Sequence, residues 1–145
     1  MKVKVKVDID TSKLLAAPGV VKATLHESLH DIGDDLVRAS SGAAPHDTGY
    51  LDTKGWNKEV SASTTGGYAE VSYYAVNDGF NYALKMHEGS YNLGPGSLQK
   101  PGGIGMSGTR YPVGPKYLER PLLGEQAAYT NHINTHLAAA LKALD

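Results

Sequence analysis

Val21, Leu25, Leu29, Ile32 and Leu36 recur at three- and four-residue spacing, and this stripe constrains the chain more than any other feature. Apolar side chains at that period share one face of an α-helix, so a helix is predicted over about residues 20–40. Whatever the chain builds elsewhere must supply a surface that covers the stripe. Pro18-Gly19 punctuates the chain before this helix, and Gly42 is placed to stop it.

The cover is written in the other period. Lys2-Val3-Lys4-Val5-Lys6-Val7-Asp8-Ile9 alternates strictly, which predicts a half-buried strand with Val3, Val5, Val7 and Ile9 on one face. Its lysine-studded outer face suits a sheet edge, where lysine discourages stray pairing. Asp10-Thr11-Ser12 can cap a short turn. Residues 56–63 and 68–76 read as two further strands around the hairpin loop Ser63-Thr64-Thr65-Gly66-Gly67, with Ala69, Val71, Tyr73 and Ala75 alternating against Tyr68, Glu70, Ser72 and Tyr74. Asn77-Asp78-Gly79 turns the chain, and residues 80–88 read as a short helix or irregular turn ended by Gly89. The last helix opens at Gly114-Pro115-Lys116-Tyr117-Leu118, with Pro121 expected to separate or kink its first turn. Leu122, Leu123, Ala127, Ile133, Leu137, Ala140, Leu141 and Leu144 continue an amphipathic pattern. The expected fold is a single α+β domain over 1–145, with a long N-terminal helix and a C-terminal helix packed on a small antiparallel sheet.

The two periods meet at Ala43-Ala44-Pro45-His46-Asp47-Thr48-Gly49-Tyr50-Leu51. Pro45 bars the residue before it from helical geometry. Asp47 or Thr48 can bond nearby amides, and Gly49 is free to take positive φ.

Residues 90–114 have a different composition. Nearly half of the 17 glycines and more than half of the seven prolines fall between Gly89 and Pro115. Gly102-Gly103-Ile104-Gly105 lacks the Lys-Ser/Thr end of a phosphate-binding loop. A flexible loop is expected, or an arm that folds onto a neighbouring subunit.

With 145 residues and a net charge of −1, the chain carries no basic field to recruit nucleic acid or an anionic membrane. No apolar run approaches the ~20 residues that span a bilayer. The alternating N-terminus offers no apolar signal core, so export by signal peptide is not expected. The absence of cysteine removes disulfides and thiolate metal sites. Nine tyrosines against one Trp and one Phe hint at surfaces that become interfaces.

Two histidine pairs stand at helical i, i+4 spacing. His26-Glu27-Ser28-Leu29-His30 matches the H-E-x-x-H pattern, in which two imidazoles bind zinc and Glu serves as base. The extension through Gly33 puts the expected third ligand at Leu36, inside the apolar stripe. A polar helix flank is therefore the preferred reading, and a small zinc-dependent hydrolase the alternative. His132 and His136 read as free surface histidines, and His87-Glu88 as a structural pair with no third partner. No catalytic residue, cofactor site or metal site is expected.

Three segments carry a family likeness. Ala44-Pro45-His46-Asp47-Thr48-Gly49-Tyr50-Leu51 resembles the Ala-Pro-x-Asp/Lys-Thr-Gly-x-Leu signature of the head–tail joining proteins of long-tailed phages, also called neck, tail-completion or minor capsid proteins. Tyr82-Ala83-Leu84-Lys85-Met86-His87-Glu88-Gly89 is similar to that family's Tyr-Ala-x-x-x-His/Glu-x-Gly segment. Lys116-Tyr117-Leu118-Glu119-Arg120-Pro121 stands where the family has an aromatic-Leu pair leading into its terminal helix. Pro121 departs from that pattern, as does the length of the Gly-rich loop. The resemblance implies a non-enzymatic virion component, made in the host cytoplasm, that forms a six-fold or twelve-fold homo-oligomeric ring at the neck. Its implied partners are the portal or adaptor on one side, the tail terminator or tail tube on the other, and genomic DNA passing without sequence-specific contact; no membrane is implied. It assigns interface or structural roles to Pro45, Asp47, Thr48, Gly49, Leu51, Tyr82, Ala83, His87, Gly89, Tyr117 and Leu118.

Overall fold

Strict alternation at the N-terminus yields strand β1, Lys2–Asp8, which pairs antiparallel with β3, Gly66–Tyr73; β3 pairs in turn with β2, Trp56–Ala62. The computed structural model describes residues 1–8, 17–46, 49–77 and 79–144, so Ile9, the 10–12 turn, Asp47, Thr48 and Asp78 lie outside the described residues. The sheet order is β1-β3-β2, which places β1 at an edge as its lysines suggest. Register sets Val5 opposite Ala69 and Ala69 opposite Val60, so one face of the sheet is apolar. Helix α1, Pro18–Ala43, lies across that face with Leu25, Leu29, Ile32 and Leu36 wholly buried against Ala69, Val71 and Tyr73. The α+β fold class follows: a long N-terminal helix, a small antiparallel sheet and a C-terminal helix. None of the described helices is long and apolar enough to cross a membrane.

The end of α1 differs from expectation. The helix runs through Gly42 to Ala43, and only Ala44 turns extended, with φ −75° and ψ 140°, as a residue before proline must. Gly42 is needed for a close crossing with the later chain instead of for a stop. The exposed carbonyls of the helix end are met by a lysine from far along the sequence: Lys100 Nζ donates to Ser41 O at 2.8 Å and to Ala44 O at 2.5 Å. A cation there also complements the negative end of the helix dipole. Gly49 then takes φ 86° and opens a short helix, α2, Tyr50–Lys54, between the turn and the next strand.

The third strand stops at Tyr73, short of the expected Val76. Val76–Asn77 (β4) pairs with Phe80–Asn81 (β5) in a small separate hairpin, followed by α3, Tyr82–Glu88. Asn81 caps α3 by accepting from Leu84 N–H at 3.2 Å.

Residues 90–114, expected as a flexible loop, find their partners within their own chain. They form α4, Pro95–Leu98, and the paired β6, Gly103–Ile104, and β7, Arg110–Tyr111. Few apolar groups in this stretch are available to offset its ordering entropy. What holds the arm is largely polar: Ser97, Lys100, Met106 N–H, Ser107 and Tyr111 all bond to the body of the molecule.

The expected final helix is two helices, α5, Glu119–Gly124, and α6, Gln126–Lys142. The break falls at Gly124–Glu125 and not at Pro121. Pro121 occupies the first turn of α5, where an N–H has no helical partner to lose. Gly124 sits under the ring of Tyr111, with no room for a side chain, and Glu125 turns inward. Tyr129 and Ile133 anchor α6 in the core shared with α1.

Candidate functional site

The second and third signature segments meet edge on. Tyr117 donates from its hydroxyl to the Ala83 carbonyl at 2.8 Å, and its ring stacks T-shaped on His87 at 5.0 Å and on Tyr73 at 5.2 Å. Lys116 N–H donates to the His87 carbonyl at 2.7 Å. Lys116 achieves this with φ 57°, a left-handed conformation for a non-glycine residue. His87 Nε2 accepts from Glu119 N–H at 3.3 Å, which leaves Nδ1 to donate to Glu88 at 3.1 Å. Burial lowers the pKa of His87, outweighing the opposing pull of Glu88, so the neutral ring is the favoured form. Glu88 in turn pairs with Lys116.

The first signature segment joins from below. Ala43 O accepts from Gly114 N–H at 3.0 Å, and Ala43, Ala44, Pro45 and Leu51 are buried. His46 binds the arm through its backbone, donating to Ser97 Oγ at 2.8 Å, while its ring lies 3.1 Å from Asp52. Lys100 Nζ reaches the same carboxylate at 2.8 Å. Of the residues the family likeness singles out, Pro45, Gly49, Leu51, Ala83, His87, Tyr117 and Leu118 are buried, and Tyr82 and Gly89 are half-buried. Asp47 and Thr48 lie outside the described residues. The three signature segments thus form one interlocked structural unit.

Where Pro45 and His46 face Tyr82 and Met86, arm residues 91–97 close a cleft of about 220 Å³. Tyr91 donates to the Met86 carbonyl at 2.6 Å, and burial pushes its hydroxyl up to about 12. The lining mixes Pro45, Pro95, Met86 and Leu93 with His46, two tyrosines, Asn92 and Ser97, and contains no Asp, Glu, Lys or Arg.

Two buried acids went unread in the sequence. Asp35, on α1, pairs with Arg38 and accepts from Met106 N–H at 3.0 Å and from Tyr129 OH at 2.9 Å. Glu125 is fully buried and accepts from Ser107 N–H at 2.7 Å, from the Ser107 hydroxyl and from Tyr111 OH at 2.6 Å. Burial raises the Glu125 pKa, but the donors from Ser107 and Tyr111 together hold it below the ordinary carboxylate range. Burial and the Glu125 carboxylate push Tyr111 up to about 12. No local signal marks either acid; only the nearby tyrosines hint at them. Of the nine tyrosines, which hint at interfaces, four serve the core: Tyr73, Tyr111, Tyr117 and Tyr129 are buried, each with its hydroxyl bonded.

Large apolar side chains are held outward next to this unit and at Leu84 within it. Tyr74 (67% exposed), Val76 (53%), Phe80 (43%) and Leu84 (45%) fall within eleven consecutive residues on the β4–β5 hairpin and the start of α3.

Comparison with known proteins finds no match to this chain among family models, curated proteins or solved structures.

The histidine pairs part ways. His26 and Glu27 are exposed, and His30 is flanked by Asp34 at 3.2 Å and by the ammonium of Lys58 at 3.2 Å, a cation where a metal would have to sit. Among the described residues no third ligand joins His26 and His30. His132 and His136, read as free, are not: their rings stack with centroids 4.1 Å apart, and Asp31 of α1 meets His132 Nε2 at 3.0 Å.

Proposed function

We propose that this protein is a structural virion component that assembles as a homo-oligomeric ring at the phage neck, joining the portal or adaptor of the capsid to the tail. The observation that carries the reading is the run Tyr74, Val76, Phe80 and Leu84, held in solvent beside a unit whose own signature residues are packed inward. Large apolar side chains held in solvent close together along the chain are candidates for contact with a partner. Here Val76 and Phe80 lie on the β4 and β5 strands, Tyr74 just before them and Leu84 on α3, so the exposed groups are spread over one short stretch of chain. The near-neutral charge suits a ring through which DNA passes without being gripped.

Mass-resolved size exclusion followed by negative-stain imaging tests this. A hollow ring of defined copy number is expected. Phe80→Asp with Leu84→Asp should yield a folded monomer, because both side chains are exposed in the single chain. A wild-type protein that stays monomeric alone and with its neck partners overturns the reading.

A further inference from the structure

We propose that Asp31, His132 and His136 form a binding site for one divalent transition-metal ion of the zinc class, fastening the C-terminal helix to α1. Each residue offers a ligand atom, and these atoms all lie within 4.8 Å of one another. The ligand atoms of a tetrahedral zinc site stand roughly 3.4 Å apart at ordinary Zn–N and Zn–O bond lengths. The Asp31–His132 pair, at 3.0 Å, is already that close, so small side-chain rotations complete the set. Two imidazoles and one carboxylate suit zinc, nickel or copper and disfavour magnesium or calcium, which want oxygen ligands.

Three features of the surroundings support the assignment. Asp31 has no competing cation among the described residues: Asp34 is taken by Lys58 and His30, Asp35 by Arg38, and Asp31 has His132. The wholly buried Ser28 places its hydroxyl 3.3 Å from His136 Nδ1 and steadies that ring, the kind of outer partner that metal-binding histidines use. The site is also reachable, since His132 and Asp31 keep 22% and 44% of their side-chain surface and Asp31 borders an open cleft.

The position explains what the ion would do. Tyr129 and Ile133 are the buried residues of α6, and beyond them in that helix only a partly buried Leu137 packs against the core. His132 and His136 straddle Ile133. An ion bridging them to Asp31 would reinforce by coordination the hold of α6 on α1 where apolar burial thins. This assignment is independent of the ring reading.

Calorimetric titration of the chelator-treated full chain with zinc chloride tests it. One zinc per chain is expected, with affinity at least tenfold weaker in each of Asp31→Asn, His132→Gln and His136→Gln, and unchanged in His26→Gln with His30→Gln. Zinc should also raise the melting temperature of the wild type and not that of His136→Gln. Should a variant fail to fold, the wild-type imidazole nitrogen resonances decide: zinc must shift those of His132 and His136. Binding that does not saturate at one equivalent, that survives loss of His132 and His136, or that shifts His26 and His30 instead overturns the proposal.

Discussion

Gly42 of α1 and Gly103 of β6 cross so closely that a methyl group on Gly42 would lie 2.5 Å from the Gly103 Cα. A methyl on Gly103 would in turn strike the Ala39 carbonyl oxygen. Glycine in a helix ordinarily costs up to about 1 kcal/mol relative to alanine, so Gly42→Ala would be stabilising at an open site. Here the crossing dominates. Gly42→Ala and Gly103→Ala are each expected to destabilise by about 1–3 kcal/mol through overpacking. Denaturant midpoints check this, and a gain of stability in Gly42→Ala would show that β6 can move aside.

Gly49 makes a second backbone demand. Its φ of 86° is open to glycine and costly for a β-branched residue, and a side chain there would also press on the His46 ring, 2.9 Å away. Gly49→Val should cost on the order of 1–3 kcal/mol, and Gly49→Asn less, because Asn tolerates the left-handed region. An unchanged melting temperature in Gly49→Val would contradict the strain.

Lys100 links the arm to the end of α1, serving two carbonyls and the Asp52 carboxylate. Lys100→Met strands these acceptors while keeping the length of the stem. A loss of about 2 kcal/mol is expected, moderated by His46, which still faces Asp52. In a double-mutant cycle, adding Asp52→Asn should cost much less on the Lys100→Met background than on the wild type. Additive losses would show that the two side chains do not interact.

Acid should weaken the fold in two stages. Burial lowers the His87 pKa in the folded state, so the unfolded chain binds that proton first. Stability is then full above about pH 6.5, the ordinary imidazole value, and declines as pH falls from there towards the folded pKa. Glu88, Lys116 and Glu119 surround His87 and modulate the first stage. The pKa of Glu125 is also lowered in the fold, where its carboxylate form is hydrogen-bonded. Its contribution is complete above the ordinary carboxylate pKa, about 4.3, and is lost as pH falls through the lower folded value. Urea melts across pH 3–8 should show both declines, with His87→Gln removing the first and Glu125→Gln the second. A flat profile between pH 7 and 5 in the wild type would contradict the His87 assignment.

Much of this architecture was legible from the chain because it depends on short-range periodicity. The stripe from Val21 to Leu36 could only be a helix face, and the alternation of Val3, Val5 and Val7 only a strand face. Pro45 acts on the dihedrals of Ala44 and Gly49 on its own, so neither effect needs a distant partner. Tertiary structure alone decided what depends on distant neighbours. A Gly- and Pro-rich arm reads as loose until Lys100 is seen to meet Ser41 and Ser107 to meet Glu125. Asp35 and Glu125 carry no mark in the sequence because a carboxylate is buried only where donors converge, and those donors come from segments far apart in sequence. Two histidine pairs share the same spacing, and only packing of α6 on α1 settled which one meets a carboxylate from another helix while the other faces a lysine. Periodicity specifies which face of an element is buried; the identity of what lies against it is a property of the assembled fold.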